Sequence, residues 1–145
     1  MTIRCEIVSQ DRTVFTGDVD IVVLPGAAGE MGILPKHAPV LTTLKYGVVK
    51  IRKSGKEEIF TVAGGVAEVQ PDIVTVLADA AENVEEIDTA RAEAARTRAE
   101  EALKSGVPAD TDAYLAMEAA LRKSNLRIDA VNRYRKNKRS TYSEQ

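Results

Sequence analysis

The chain has 145 residues, which is enough for one domain or for a small core with an appended element. Its formal net charge is only -2, but residues 1–82 carry -3, residues 83–120 carry -5 and residues 121–145 carry +6. A single cysteine excludes an intrachain disulfide and a multi-cysteine metal site, and it favours a reducing compartment. The N-terminus lacks a signal-peptide pattern, and no apolar run approaches the roughly 20 residues that span a bilayer. We therefore expect membrane association only through a protein partner.

The first part of the chain, residues 1–83, has the two-residue period of β-strands. Apolar and charged residues alternate in TIRCEIV and GVVKIRK, and in DVDIVVLP the residues Val19, Ile21 and Val23 are expected to line one face. Glycine and proline interrupt the later strands at short intervals, and no helix-length segment separates them. The pattern predicts an antiparallel β-sandwich or barrel and argues against parallel βαβ units.

The remaining part, residues 84–145, changes to a helical composition. Asp88 is placed as an N-cap and Gly106 as a C-terminal stop, and a second helix is predicted from near Thr111 to about Lys136. The short connection predicts a helical hairpin. Its apolar face is expected to consist mostly of alanine, namely Ala90, Ala94, Ala102, Ala113, Ala116 and Ala120. The helices should form readily because alanine, glutamate and arginine favour helix. Because alanine buries little apolar area, the hairpin should dock only weakly on other surfaces, as a mobile element would.

One stretch, LPGAAGEMGILPKHAP, combines three glycines with a lysine and the chain's only histidine. The dinucleotide fingerprint needs G-x-G-x-x-G between a strand and a helix, but here the glycines are three apart, and Pro35 and Pro39 exclude a regular helix. We expect a surface connection between strands in which the glycines take positive φ angles. Such connections commonly carry binding residues. The candidates at its tip are Glu30, Met31, Lys36 and His37.

The sequence offers few catalytic constellations. No H-x-x-x-H, C-x-x-C, G-x-S-x-G or P-loop pattern occurs. Cys5 occupies an apolar strand position, and the adjacent acidic pairs Glu57-Glu58 and Glu85-Glu86 are typical of solvated turns. We expect no enzyme activity of the chain's own, no metal and no required cofactor.

Three motifs resemble those of the epsilon subunit family of F-type ATP synthases. The segment GEMGILPKHAPVLT, residues 29–42, is similar to the signature loop of that family. AGGVAEV, residues 63–69, is similar to its second motif, and IDTARA, residues 87–92, to its third. The motifs stand in the family's order and at its spacing, and the two-part layout covers nearly the whole chain.

The resemblance implies a β-sandwich over residues 1–83 and a helical hairpin over residues 84–145, both in the central rotor stalk. The sandwich would contact the gamma subunit and the membrane-embedded c-ring, and the subunit would couple these parts without being catalytic. By match to the signature loop, Glu30 and His37 are expected to face the polar loops of the c-ring, with Ser9 nearby. Met31 belongs to the same group of residues implied for contact with the c-ring or gamma. The implied location is the cytoplasmic face of a bacterial plasma membrane, because the sequence shows no transit peptide; a thylakoid membrane is the alternative.

The resemblance also implies that the hairpin restrains ATP hydrolysis. The resemblance implies that the hairpin either packs compactly beside the sandwich or opens and extends along gamma towards the alpha/beta catalytic head. In the extended, open form its basic residues would meet an acidic segment of a beta subunit. The implied residues are Arg122, Lys123, Arg127, Arg133 and Arg135, followed by Lys136, Lys138 and Arg139. Because an exposed ion pair is worth about 0–1 kcal/mol, several must act together. From Lys138 onward a solvated tail is the simpler explanation.

Some members of the family bind ATP on the folded hairpin as a regulatory ligand. The residues implied here are Glu82, Ile87, Asp88, Arg91, Ala92 and Arg98. In the second helix the expected arginine positions fall on Leu121 and Asn125, and Arg122 is displaced by one residue, which turns a helical side chain by about 100°. Asp88 is also explained as an N-cap. We therefore expect no tight ATP binding.

Two other function classes compete with a rotor subunit. A nucleotide-sensing module would make ATP binding on the hairpin the principal function. A nucleic-acid-binding protein would use the +6 segment, but aromatic residues suited to base stacking are few. We expect no nucleic acid partner.

Overall fold

The computed structural model describes residues 1–106, 108–109 and 111–135. The chain divides into two compact units, one of residues Met1–Asn83 and one that begins at Val84. Each unit has one type of secondary structure, strands in the first and helices in the second. The predicted order of a β-sandwich followed by a two-helix hairpin is confirmed.

Ten strands are formed by the described residues, all in the first unit. They are β1 (Ile3–Val8), β2 (Thr13–Val19), β3 (Ile21–Gly26), β4 (Gly29–Ile33), β5 (Val40–Thr43), β6 (Gly47–Lys53), β7 (Lys56–Val62), β8 (Gly65–Val69), β9 (Ile73–Ala78) and β10 (Ala81–Asn83). One sheet has the order β2-β1-β9-β8-β5 and the other has the order β10-β7-β6-β3-β4. The strand pairs are antiparallel except β1 with β9, which are parallel. The predicted antiparallel sandwich therefore has one parallel pair.

A single hydrophobic core lies between the two sheets. Alternate residues of β1 and β3 point inward, as Ile3, Cys5 and Ile7 of β1 do, and they join Leu24 of β3 and Phe60 of β7 in one buried cluster. This burial follows directly from the two-residue period of the sequence. It supplies the rigid frame on which the exposed candidate residues are held.

The predicted common face of Val19, Ile21 and Val23 is wrong beyond Asp20. Val19 is buried, but the next buried residues are Val22 and Leu24, whereas Ile21 and Val23 are half-exposed. The chain leaves the first sheet at the end of β2 and enters the second sheet in β3. Because the change of sheet shifts the alternation by one residue, a single continuous strand pattern misassigns the residues after it.

The described part of the second unit is a pair of antiparallel helices, with one short turn before the first helix and one after the second. A 3₁₀ turn (Val84–Glu86) precedes α1 (Thr89–Lys104), and α2 (Asp112–Ala130) continues into a π-helical turn (Val131–Arg135). The Asp88 carboxylate caps α1 by accepting a hydrogen bond from Arg91 N at 3.1 Å. Gly106 follows the helix with a φ of 92°. The predicted N-cap and C-terminal stop of this helix are confirmed.

The alanine face predicted for the hairpin is wrong in position. Ala90, Ala94, Ala113 and Ala116 are exposed, and Ala102 and Ala120 are half-buried. The buried residues of the two helices are Ala92, Ala99, Ser124, Ile128 and Ala130. Alanine occurs on several sides of α1, so composition alone does not identify the packed side. The buried alanines remain small, and the described part of the hairpin contributes few large apolar side chains to a core.

Candidate functional site

Residues 24–39 run from one end of the sandwich to the other. They include a strand, β4, followed by a loop, and so they are not a single loop between strands. β3 and β4 form a hairpin in which Gly26 pairs with Gly29, and β4 ends at Ile33, which pairs with Val22. The predicted surface connection is thus wrong for residues 29–33, which form an edge strand. The true connection is the loop of residues 34–39.

Only one of the three glycines in this stretch takes a positive φ. Gly29 has a φ of 139°, whereas Gly26 and Gly32 do not need the left-handed region. Gly26 is required for space, because a Cβ placed on it would lie 2.8 Å from the carbonyl oxygen of Gly29 and 3.0 Å from Met31 Sδ. The left-handed residue of the following loop is Lys36, with a φ of 66°. The predicted positive φ angles are therefore wrong for Gly26 and Gly32.

The backbone of the loop is fastened to the turn between β8 and β9. Lys36 N donates a hydrogen bond to Pro71 O at 2.8 Å. The opposite end of the sandwich is defined by the bridge between Gly26 and Leu44 and by the hydrogen bond from Ala27 N to Thr43 O at 2.9 Å. We call the end with the turns 9–12 and 27–28 the Ser9 end, and the end with loop 34–39 the His37 end.

The sequence-predicted contact residues of the sandwich are divided between these two ends. Ser9 follows β1 at the Ser9 end, where its hydroxyl lies 3.2 Å from Arg12 O and 3.3 Å from Arg12 N within a turn. Glu30 is exposed near the same end, on the edge strand β4. Met31 is half-buried and packs against the core. His37 lies at the other end, so one flat surface cannot include all four residues.

The imidazole of His37 is held by its own loop. Its Nδ1 lies 2.7 Å from Ala38 O, a geometry in which Nδ1–H donates to the carbonyl. The ring is half-buried, while neighbouring Leu34 remains 58% exposed. An exposed leucine, a lysine in a left-handed conformation and a histidine on one short loop make a surface suited to contact with another protein.

The residues implied for ATP binding have different structural roles. Asp88 is the N-cap of α1, and Ile87 and Ala92 are buried. Arg91 and Arg98 are exposed, and seven residues of helix place them on the same side of α1, about 10 Å apart along its axis. Glu82 is half-buried in β10 of the first unit.

The basic residues of the second helix differ in exposure. Arg122, Lys123 and Arg133 are exposed, whereas Arg127 and Arg135 are half-buried. The guanidinium of Arg133 lies 5.6 Å from the ring centroid of Tyr134. Lys136, Lys138 and Arg139 lie outside the described residues, as does the predicted end of the helix near Lys136.

Sequence reasoning missed a contact between the two ends of the hairpin. Arg135 Nη2 donates a hydrogen bond to Ile87 O at 2.8 Å, and Nη1 donates to Thr89 Oγ1 at 3.4 Å. The partners are 46 and 48 residues apart, and no local pattern marks such a pair. The contact places the turn that follows α2 beside the start of α1.

The single cysteine is a core residue. Burial raises the pKa of the Cys5 thiol to about 12, and the nearby Glu6 carboxylate adds a smaller upward contribution. The thiol is therefore protonated at neutral pH and is a poor nucleophile. Within the described ranges no cluster of three His, Cys, Asp or Glu residues could hold a metal ion, and no described helix is long and apolar enough to cross a membrane.

Both units match one protein family. Residues 2–84 match the beta-sandwich domain of the ATP synthase delta/epsilon chain, and residues 85–132 match the long alpha-helix domain of the same chain. The chain belongs to the ATP synthase epsilon-chain family. The family resemblance inferred from the three sequence motifs is confirmed.

Several bacterial epsilon chains are close relatives. The ATP synthase epsilon chain of Polaromonas naphthalenivorans is 44% identical over 139 residues, covering 94% of this chain and 99% of that one. The epsilon chain of Pelotomaculum thermopropionicum is 55% identical over 102 residues, covering 70% and 76%. The epsilon chain of Bordetella parapertussis is 50% identical over 125 residues, covering 82% and 89%. These alignments place the chain among the epsilon chains of the family.

Solved ATP synthases contain chains of similar structure. One belongs to the Euglena gracilis mitochondrial enzyme, in a structure of OSCP, F1 and the c-ring; it has a TM-score of 0.70 and 26% identity, covering 86% of this chain and 78% of that one. Another belongs to the central stalk and c-ring structure of the Tetrahymena thermophila mitochondrial enzyme, with a TM-score of 0.57 and 17% identity, covering 90% and 97%. The second likeness concerns the fold alone.

Proposed function

We propose that this epsilon-family chain is a non-catalytic central-stalk subunit of an F-type ATP synthase, peripheral at the cytoplasmic face of a bacterial plasma membrane. The observation that carries the proposal is the family match of both units, which together span residues 2–132. The presence of a structurally similar chain in an assembly with F1 and a c-ring supports it. In this role the chain couples the gamma subunit to the c-ring.

The two ends of the sandwich suit two different partners. The Ser9 end presents the exposed carboxylate of Glu30 and is proposed to face the polar loops of the c-ring. The His37 end presents His37 with exposed Leu34 and Lys36, and it is proposed to contact gamma. Met31 supports β4 from the core side and is not itself a contact in this proposal.

A cysteine-directed crosslink tests this division in the assembled enzyme. Because Cys5 is buried, Glu30→Cys and His37→Cys each provide one accessible thiol. Residue 30 should crosslink to a c subunit and residue 37 to gamma. A control at exposed Lys53 of β6 reports crosslinking without a specific contact. Crosslinking of both residues to the same subunit would contradict the assignment to two partners.

We propose further that the hairpin restrains ATP hydrolysis through its basic second helix. The supporting observation is that Arg122, Lys123 and Arg133 are exposed and Arg127 is half-buried, so that basic side chains reach the surface of this part of the chain. Single exposed ion pairs contribute about 0–1 kcal/mol, so the effect requires several residues together. The partner is the alpha/beta catalytic head.

Replacement of Arg122, Lys123 and Arg127 by alanine should raise ATP hydrolysis by the assembled enzyme. A matched control removes three exposed lysines of the first unit, Lys45, Lys53 and Lys56, and so changes the net charge equally. Hydrolysis should rise in the first triple variant and not in the second. Unchanged hydrolysis in the first variant would reject the proposed contact.

ATP is proposed as at most a weak regulatory ligand. Arg91 and Arg98 offer two exposed guanidinium groups on one side of α1, which suits phosphate binding. However, Asp88 already caps the helix, so its presence has a structural explanation. Calorimetric titration of the full chain with ATP in the absence of Mg²⁺ should give no micromolar affinity. Micromolar binding that is lost in Arg91→Ala and Arg98→Ala would favour the nucleotide-sensing alternative.

A further inference from the structure

We propose that Arg135 is a clasp that holds the two ends of the helical hairpin together. The residue lies in the last described turn of the second unit, and its guanidinium reaches the segment that starts α1. One side chain therefore links the beginning of the unit to its last described turn. The clasp is a positioning device, and it needs no ligand.

The geometry uses both arms of the guanidinium. Nη2 donates to Ile87 O at 2.8 Å, and Nη1 donates to Thr89 Oγ1 at 3.4 Å. Ile87 precedes the N-cap and Thr89 is the first residue of α1, so the two acceptors lie on either side of Asp88. The planar fork of arginine fits two separated acceptors, whereas the ammonium of lysine is a compact point charge.

The π-helical turn brings Arg135 into this position. Such a turn widens the helix, and the insertion of one residue changes the direction of each following side chain by about 100°. Val131, the first residue of the turn, is buried, as are Val84 and Ile87 at the start of the unit. These buried apolar residues bring the two segments close together, and the Arg135 side chain then joins them by hydrogen bonds.

The clasp uses Nη1 and Nη2 of Arg135 within the hairpin. The sequence assigns the same residue to the basic group that contacts an acidic partner. Resting on the proposed restraint of hydrolysis, we infer that this contact requires the clasp to open. Weakening the clasp while keeping the positive charge should then favour the restrained enzyme.

Amide hydrogen exchange on the full chain tests the clasp directly. Arg135→Lys and Arg135→Gln should each increase exchange about tenfold or more in residues 84–92 and 128–135, because a charge-assisted hydrogen bond is lost. Arg133→Gln is the matched control, since this exposed arginine lies in the same turn. The strands of the first unit should keep their protection in all three variants, which shows that the chain remains folded.

The outcomes separate the clasp from the proposed function. Equal exchange in the Arg135 and Arg133 variants would overturn the clasp. In the assembled enzyme, Arg135→Lys should lower ATP hydrolysis about twofold or more, by shifting the hairpin towards the open form. If exchange rises but hydrolysis responds neither to Arg135→Lys nor to the Arg122, Lys123 and Arg127 triple variant, the clasp stands and the proposed restraint fails.

Discussion

The Asp20 carboxylate accepts a hydrogen bond from Ser54 N at 2.8 Å, across 34 residues of sequence. Asp20 stands where the chain passes from β2 of one sheet to β3 of the other, and its own N–H donates to Arg52 O at 2.8 Å. Ser54 and Gly55 form the two-residue turn between β6 and β7, with φ angles of 52° and 79°. These angles are those of a type I′ turn, in which a serine at positive φ needs support.

Asp20→Ala is expected to lower the free energy of unfolding of the first unit by about 1 kcal/mol, because Ser54 N loses its protein acceptor. Asp18→Ala is the matched control: Asp18 is exposed, and its carboxylate lies 3.7 Å from an Arg4 nitrogen in a surface pair of small worth. Urea unfolding followed through NMR signals of the strand amides reports this unit separately. Equal losses in the two variants would show that the bond to Ser54 contributes nothing.

Gly65→Ala is expected to cost more than about 3 kcal/mol or to prevent folding of the first unit. Gly65 has a φ of 122°, and a Cβ there would overlap Leu77 O and lie 2.8 Å from Ala78 Cα, both parts of the paired strand. Gly55→Ala measures the cost of the positive φ alone, without steric overlap of the added Cβ. The φ of Gly55 is 79°, and no atom lies within 4 Å of the added Cβ. This control should lose only about 1–2 kcal/mol in the same urea experiment.

The sequence predicted the sandwich and the hairpin, but it did not predict the separation of Glu30 from His37. In the sequence these residues are only seven positions apart, and the glycine-rich pattern predicts that both lie at the tip of one loop. Glycine is depleted in strands, so Gly29 and Gly32 concealed β4, whose existence depends on its pairing with β3. A local sequence pattern does not show which strands pair. The pairing of β4 with β3 places Glu30 near one end of the first unit and His37 at the other end.

The change of sheet at Asp20 and the contact of Arg135 were hidden for related reasons. The valines and isoleucines of residues 19–23 fit a continuous strand, and only the backbone crossing between sheets shifts their alternation. Arg135 reads as one more basic residue of a charged helix. Its hydrogen bond to Ile87 O forms only when the hairpin folds. The sequence predicts the hairpin, but it does not specify which side chains come into contact.

Ala99→Leu is expected to destabilise the hairpin by about 1–3 kcal/mol, since Ala99 is 2% exposed and a larger side chain has to displace its neighbours. Ala94→Leu is the matched control on the same helix, because Ala94 is exposed and leucine has nearly the same helix propensity as alanine. The control should change stability by no more than about 0.5 kcal/mol. Thermal melting at 222 nm with exchange of the α1 amides measures both, and equal effects would mean that Ala99 is not on the packed side.

The Cys5 thiol should make stability depend on pH above about 9. The folded pKa of about 12 lies above the ordinary value of 9.0, so between these values the unfolded chain loses a proton that the folded chain keeps. Unfolding is therefore favoured as pH rises, by roughly 1.4 kcal/mol per pH unit in this window. The useful quantity is the difference in the free energy of unfolding between the parent chain and Cys5→Ala, because pH effects that the two chains share cancel in it. At pH 7 the parent chain should have the larger free energy of unfolding, because the substitution leaves a cavity. The difference in the free energy of unfolding between the two chains should become steadily smaller from pH 9 to 11. A difference that stays constant over this range would contradict the raised pKa.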